Sequence, residues 1–329
     1  MLECISMYEA IKNFHKQFLF EPKVENSNNL VKKSGFIVVG MGGSGLAPKL
    51  LKTCKPELDI IVHQDYGLPG ISIEGLKNKL IILVSYSGNT EEVIEAFGEA
   101  KGKNLAMAVI AIGGKLLSLA EENKVPYIKL PDTGIQPRMA LGFSIKAFLK
   151  IAGEEDELKK ISELATTLSP ALYEEGGKAL AGRMKNYVPI IYASSRNLFL
   201  AYPWKLKLNE TGKIPAFYNV IPELNHTEMT GLDVRDSTKE LSKKLYFVIL
   251  KDQQDGPRIF KRMEVLEKLY KDRNLKVEEV KLEERGDIWH KIFSSLVLAD
   301  WVAYYTAFQY GLDPEQVPMV EEFKKLILE

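Results

Sequence analysis

The 329-residue sequence predicts two consecutive doubly wound α/β domains, each a parallel sheet covered by helices on both faces. Three observations carry that expectation. Short apolar runs of strand length recur along the chain, and most are separated from the next by enough residues for a helix. In the first half the runs are apolar at successive positions rather than alternating, as strands buried on both faces must be. The length also corresponds to about two domains of roughly 150 residues each.

Residues 8–20 carry apolar side chains at mixed three-and-four spacing and predict an opening helix. Runs at 36–39, 60–62, 80–84, 106–110 and 126–128 then read as five strands of a first domain, 1–153. Residues 154–185 are charged, with Leu158, Ile161 and Leu164 at helical spacing, and read as a helical connector. A second alternation fills 186–329. Its strands are 189–192, 217–220, 245–250 and 276–280, and long helices near 259–270 and 288–310 cover them. Two halves of similar size point to a duplicated architecture, although no residue repeat is visible.

Composition narrows the function classes. Lys+Arg and Asp+Glu are both 44, so no global positive field exists to attract nucleic acid or an anionic membrane, and any anion must be held locally. No apolar run approaches the roughly 18 residues that span a bilayer. The first 20 residues mix Glu, Lys and His with apolar side chains, unlike a signal peptide. Cys4 and Cys54 are too few for a disulfide framework and lack metal-ligand spacing. These features lead to the expectation of a cytoplasmic chain. The aromatic-rich stretch 288–310 holds one lysine and no arginine, so its rings are expected in the core and at a dimer interface rather than stacked on bases.

Two strand-to-helix turns carry the chemistry. After the first strand the chain reads Gly40-Met41-Gly42-Gly43-Ser44-Gly45, then a helix. Such glycine density lets backbone N–H groups approach a ligand, and the helix N-terminus favours an anion. Gly40, Gly42 and Gly45 satisfy G-x-G-x-x-G with Asp65 about 20 residues on, so a dinucleotide site is one reading; a Walker A loop is not, because no Lys-Ser or Lys-Thr follows Gly45. After the third strand comes Ser85-Tyr86-Ser87-Gly88-Asn89-Thr90-Glu91-Glu92. Its three hydroxyls and turn N–H groups can hold a phosphate without any lysine. A dinucleotide site needs no such second loop. Both turns open on the carboxyl edge of one sheet, where ligands sit in this architecture.

These residues strongly resemble the sugar isomerase (SIS) domain, and the chain from about residue 36 to its C-terminus resembles the bifunctional phosphoglucose/phosphomannose isomerase family. The resemblance implies two SIS-type domains, a hexose 6-phosphate site between them, no cofactor, no metal and a homodimer. It implies that Gly43, Ser44, Ser85, Ser87 and Thr90 hold the phosphate.

An aldose–ketose isomerase opens a hemiacetal ring, moves a proton between adjacent carbons and stabilises an enediolate, which calls for a carboxylate base and a fixed cation or donor. Arg138, stiffened by Pro137, lies in a Gln-Pro-Arg segment similar to the one whose arginine faces the intermediate in the family. Glu210 taken alone is one more glutamate at a helix end; in Asn209-Glu210-Thr211-Gly212-Lys213-Ile214-Pro215-Ala216 it resembles the family's proton-transferring base. His226 is one of only four histidines, and histidine is the side chain suited to acid–base work near neutrality. Its segment resembles a ring-opening loop that the neighbouring subunit supplies, with Thr227 where the family usually has Asn. Glu223 and Glu228 are both candidates to orient its imidazole. Lys324 in the last helix matches a lysine that hydrogen-bonds the ring oxygen, with Lys325 adjacent. Two rival functions follow from the same residues: a non-catalytic phosphosugar sensor and a nicotinamide-dependent oxidoreductase.

Overall fold

A computed structural model describes residues 6–327 as two units, one of Lys12–Leu168 and one of Ser6–Ile11 with Ser169 onward. Cys4 lies outside the described residues.

In the first unit β1 (Gly35–Val39), β2 (Asp59–His63), β3 (Lys79–Val84), β4 (Met107–Ala111) and β5 (Tyr127–Lys129) form a parallel sheet in the order β2-β1-β3-β4-β5. All five expected strands are present, each shifted by no more than a residue or two. The central strands lack polar–apolar alternation because both faces are covered: Ile37, Val38, Ile81, Ile82, Val109 and Ile110 are wholly buried. Each such side chain contributes about 1.5–3 kcal/mol of burial. On one face Val93, Ala96, Phe97 and Leu116 pack against the sheet.

The expected helix over 8–20 is an α-helix at Met7–Lys12 followed by a 3₁₀ helix at Phe14–Leu19. A tertiary contact accounts for the break. Gln17, 5% exposed, gives its amide to the Met139 carbonyl at 2.7 Å and accepts the Gly142 N–H at 2.9 Å, which fixes the tighter turn. The connector is helical. Glu155–Ser162 and Leu164–Thr167 go with the first unit, and Glu174–Arg183 goes with the second.

The second unit repeats the plan with four parallel strands. They are β6 (Val188–Ser194), β7 (Phe217–Ile221), β8 (Leu245–Lys251) and β9 (Lys276–Lys281), in the order β7-β6-β8-β9. The Pro257–Asp272 helix lays Met263, Leu266 and Tyr270 against Tyr192, Phe247 and Ile249. The Ile288–Gln309 helix has Trp289, Phe293 and Trp301 wholly buried, and Phe308 at its end is 69% exposed. Among the described residues, no helix is long and apolar enough to cross a membrane.

Candidate active site

In the first unit β2 and β3 lie on opposite sides of β1, so the chain reverses direction across the sheet between β1 and β3. That switch point is where crevices form at the carboxyl edge of open α/β sheets. The two turns singled out above leave β1 and β3, so strand order makes them neighbours. The Ser44 hydroxyl accepts the Tyr86 N–H at 3.2 Å and joins one turn to the other. Each turn leads into a helix, Leu46–Cys54 and Glu91–Gly102, so two positive dipole ends converge there.

The hydroxyls are not equivalent. Ser85 is wholly buried and holds the turn together: its Oγ accepts the Gly88 N–H at 3.0 Å and lies 2.7 Å from the Thr90 Oγ1. Ser87 is exposed and Ser44 and Thr90 are half-buried, so these three can meet a ligand. Gly88 has φ +72°, and a Cβ there would stand 1.8 Å from the Gly113 carbonyl oxygen. Gly113 and Gly114 close the loop after β4 over the Ser87 turn, with the Leu116 N–H on the Gly88 carbonyl at 2.8 Å. Neither glycine was among the expected site residues; a Gly-Gly pair one residue past a strand was the available signal. Burial pushes the Tyr86 hydroxyl up to about 12, so it stays neutral beside the site.

Arg138 belongs to the same place. It sits in the Pro137–Met139 turn, 3% exposed, and its backbone abuts the glycine loop so closely that a Cβ on Gly43 would lie 3.2 Å from the Arg138 Cα. Gly43, Ser44, Ser85, Ser87, Thr90 and Arg138 are thus brought together within one unit.

The second unit holds the other three candidates. Glu210 ends the Leu198–Glu210 helix and is half-buried. Its carbonyl accepts the Lys213 ammonium at 2.6 Å, and the same ammonium reaches the Gln316 carbonyl, tying the Glu210 turn to the segment that leads into the last helix. That helix, Pro318–Leu326, buries none of its residues. Lys324 is exposed and pairs with Glu321 at 2.7 Å, and Lys325 is equally exposed.

His226 is exposed on the loop after β7. The loop is clamped on both flanks. Asn225 accepts the Arg262 guanidinium at 3.2 Å, and the Glu228 carboxylate takes the Tyr192 hydroxyl and the Asn219 amide. Glu228 is therefore engaged away from the imidazole. No hydrogen bond or ion pair among the described residues joins the His226 ring to Glu210 or Lys324.

The second unit has its own switch point, between β6 and β8, and its chemistry is reversed. Ser194 donates to Asp255 at 2.7 Å, Asn197 donates to Asp252 at 3.1 Å, and the Lys291 ammonium reaches Asp252 at 2.9 Å. All five are at least nine-tenths buried. Burial pushes both carboxyls up; Lys291 and the surrounding donors outweigh it at Asp252, which ends below the usual range, while Asp255 ends above it.

Comparison with known proteins bears on the family and the fold. Residues 174–327 match the family described as bacterial phospho-glucose isomerase C-terminal SIS domain. The bifunctional phosphoglucose/phosphomannose isomerase of Aquifex aeolicus is 32% identical over 325 residues, 97% of each chain. The enzyme of that name from Thermoplasma acidophilum is 32% identical over 98% of each chain. Among solved structures, the tagatose-6-phosphate ketose/aldose isomerase of Escherichia coli shares the fold at TM-score 0.60 and 17% identity, covering 93% of this chain and 88% of that one. With nearly full-length relatives at this level of identity, the chain belongs to the bifunctional phosphoglucose/phosphomannose isomerase family.

Proposed function

We propose that the chain interconverts glucose 6-phosphate and mannose 6-phosphate with fructose 6-phosphate, using the residues of its two units in separate roles. Ser44, Ser87 and Thr90, with the N–H groups of the Gly43 and Gly88 turns, hold the phosphate; Ser85 shapes the turn that presents them. His226 moves the proton of the anomeric hydroxyl to the ring oxygen while Lys324 hydrogen-bonds that oxygen. Glu210 takes the C2 proton and returns it to C1, and the Arg138 guanidinium stabilises the enediolate. The C2 proton and a bonding pair shift within one substrate, so the reaction balances without an external oxidant or reductant. Glucose and mannose differ only at C2, and rotation about C2–C3 offers either proton to one base.

The observation that carries this reading is the pairing of two hydroxyl-bearing turns at a switch point with Arg138 backed onto Gly43. It suits a phosphorylated ligand that develops a second negative charge nearby. The working protein is proposed to be a homodimer in which His226 serves the partner's substrate. Exposed apolar side chains on the edge strand β7 and on the last helix support this: Phe217 is 57% exposed and Phe323 60%.

The test is a coupled assay starting from fructose 6-phosphate that follows glucose 6-phosphate and mannose 6-phosphate separately. Both products are expected, and Glu210→Gln is expected to abolish both. A wild-type chain inert on fructose 6-phosphate overturns the proposal.

A further inference from the structure

The helix that carries Glu210 is anchored by a buried ion pair that neither the sequence reading nor the roles above assign. Lys207 Nζ meets Asp300 Oδ1 at 2.5 Å, and the two side chains are only 2% and 1% exposed. Withdrawing two charges from water costs as much as their attraction returns, and well-packed apolar residues often do as well. Stability alone therefore does not explain why the pair is there.

Its position does. Lys207 stands one helical turn before Glu210, and its carbonyl accepts both the Thr211 N–H at 2.9 Å and the Gly212 N–H at 3.0 Å. One residue thus closes the final turn with its backbone and fastens it with its side chain. Asp300 lies on the Ile288–Gln309 helix between Ala299 and Trp301, which are 1% and 0% exposed, so the anchor point is itself immobilised in the core. Beyond Glu210 the chain is held again, by Lys213 on the Glu210 carbonyl at 2.6 Å and by the Asn209 amide on the Ile214 carbonyl at 2.9 Å. These contacts fix the stretch of backbone from which the Glu210 carboxylate projects.

We propose that the Lys207–Asp300 ion pair is a positioning element for Glu210, setting the reach of its carboxylate toward the substrate carbons. The inference rests on Glu210 being the base. A proton shuttle between two carbons tolerates little error, since a displacement of about 1 Å can cost roughly 100-fold in rate. Removing the pair therefore slows the chemical step while leaving phosphate recognition, which the first unit provides, untouched.

The test compares wild type, Glu210→Gln, the paired apolar replacement Lys207→Met with Asp300→Leu, and Asp300→Asn. The readouts are thermal melting, kcat and KM for fructose 6-phosphate, and solvent deuterium entering the sugar during turnover. The expected result for the paired replacement is a cooperative melt, KM within about threefold of wild type and kcat lower by roughly 10- to 100-fold, with deuterium entry slowed in parallel. If that variant does not fold, Asp300→Asn, measured well below its melting temperature, is expected to show the same split. Wild-type kcat in a folded variant, whatever its melting point, overturns the inference and leaves the pair merely structural. Turnover by Glu210→Gln removes the base assignment itself. An inert Glu210→Gln beside a fully active paired replacement removes only the positioning role.

Discussion

Replacing Gly88 by alanine tests the phosphate turn most directly. The residue has φ +72°, a left-handed conformation that costs an alanine about 1–2 kcal/mol relative to glycine. The added Cβ would stand 1.8 Å from the Gly113 carbonyl oxygen, where ordinary contact begins at 3.4 Å. No rotamer relieves this, because the neighbours are backbone atoms. The two loops must part by about 1.6 Å, the difference of those distances. That separation breaks the 2.8 Å bond from the Leu116 N–H to the Gly88 carbonyl and moves the N–H of residue 88 away from the Ser85 hydroxyl. Losing even one charge-assisted bond to the phosphate, about 1.5–3 kcal/mol, weakens binding by roughly 10- to 150-fold. The assay is KM for fructose 6-phosphate together with the inhibition constant of inorganic phosphate, both expected to rise by at least tenfold. A folded Gly88→Ala protein whose phosphate inhibition constant stays within twofold of wild type would refute the reasoning.

Other outcomes follow from the same contacts. Gln17→Ala leaves the Met139 carbonyl and the Gly142 N–H without their buried partner, so stability should fall by about 1–3 kcal/mol in denaturant titration, and kcat should fall with it because these groups flank the Arg138 turn. Trp204 is wholly buried with its indole N–H on Ser295 at 3.0 Å; Trp204→Ala should cost about 3–5 kcal/mol in the same measurement. For Glu278, burial raises the carboxyl but the hydrogen bonds of Arg183 and Tyr246 outweigh it and hold it below the usual glutamate range. A depressed folded-state value means stabilisation that is present above the unfolded value and lost as pH falls through the folded one. Glu278→Gln should therefore lower the melting temperature at neutral pH and make no difference in strong acid; a constant offset between the two would contradict the assignment.

Whereas β9, at a sheet edge, carries two glutamates and is only partly buried, the central strands were legible because burial on both faces leaves an unbroken apolar signature in runs such as 80–84 and 245–250. The order of the strands was not, since it depends on pairing between residues far apart in the chain: nothing local to the 80–84 run says that it lies beside β1 rather than β2. That order brings Ser44 and Tyr86 together. The hydroxyls of the second turn were readable by position, but which way each points was not. Ser85 faces inward because it alone can satisfy Gly88 and Thr90, a demand set by the turn's geometry. The opening helix was overestimated because its period is real but Gln17 answers to Met139 and Gly142, more than a hundred residues away. Lys207 and Asp300 left no signal at all, each being an ordinary charged residue until two helices bring them into contact.

The contrast between the two switch points bears on how a duplicated framework divides its labour. Around β6 and β8 the buried polar groups already answer one another, with Ser194, Asn197 and Lys291 donating to Asp255 and Asp252, so these donors are spent on carboxylates rather than offered to a dianion. Each polypeptide should then titrate with a single equivalent of phosphomonoester despite its twofold internal likeness. On the proposed assignment the first unit receives the phosphate, and the second serves as the frame on which the proposed base, Glu210, is mounted.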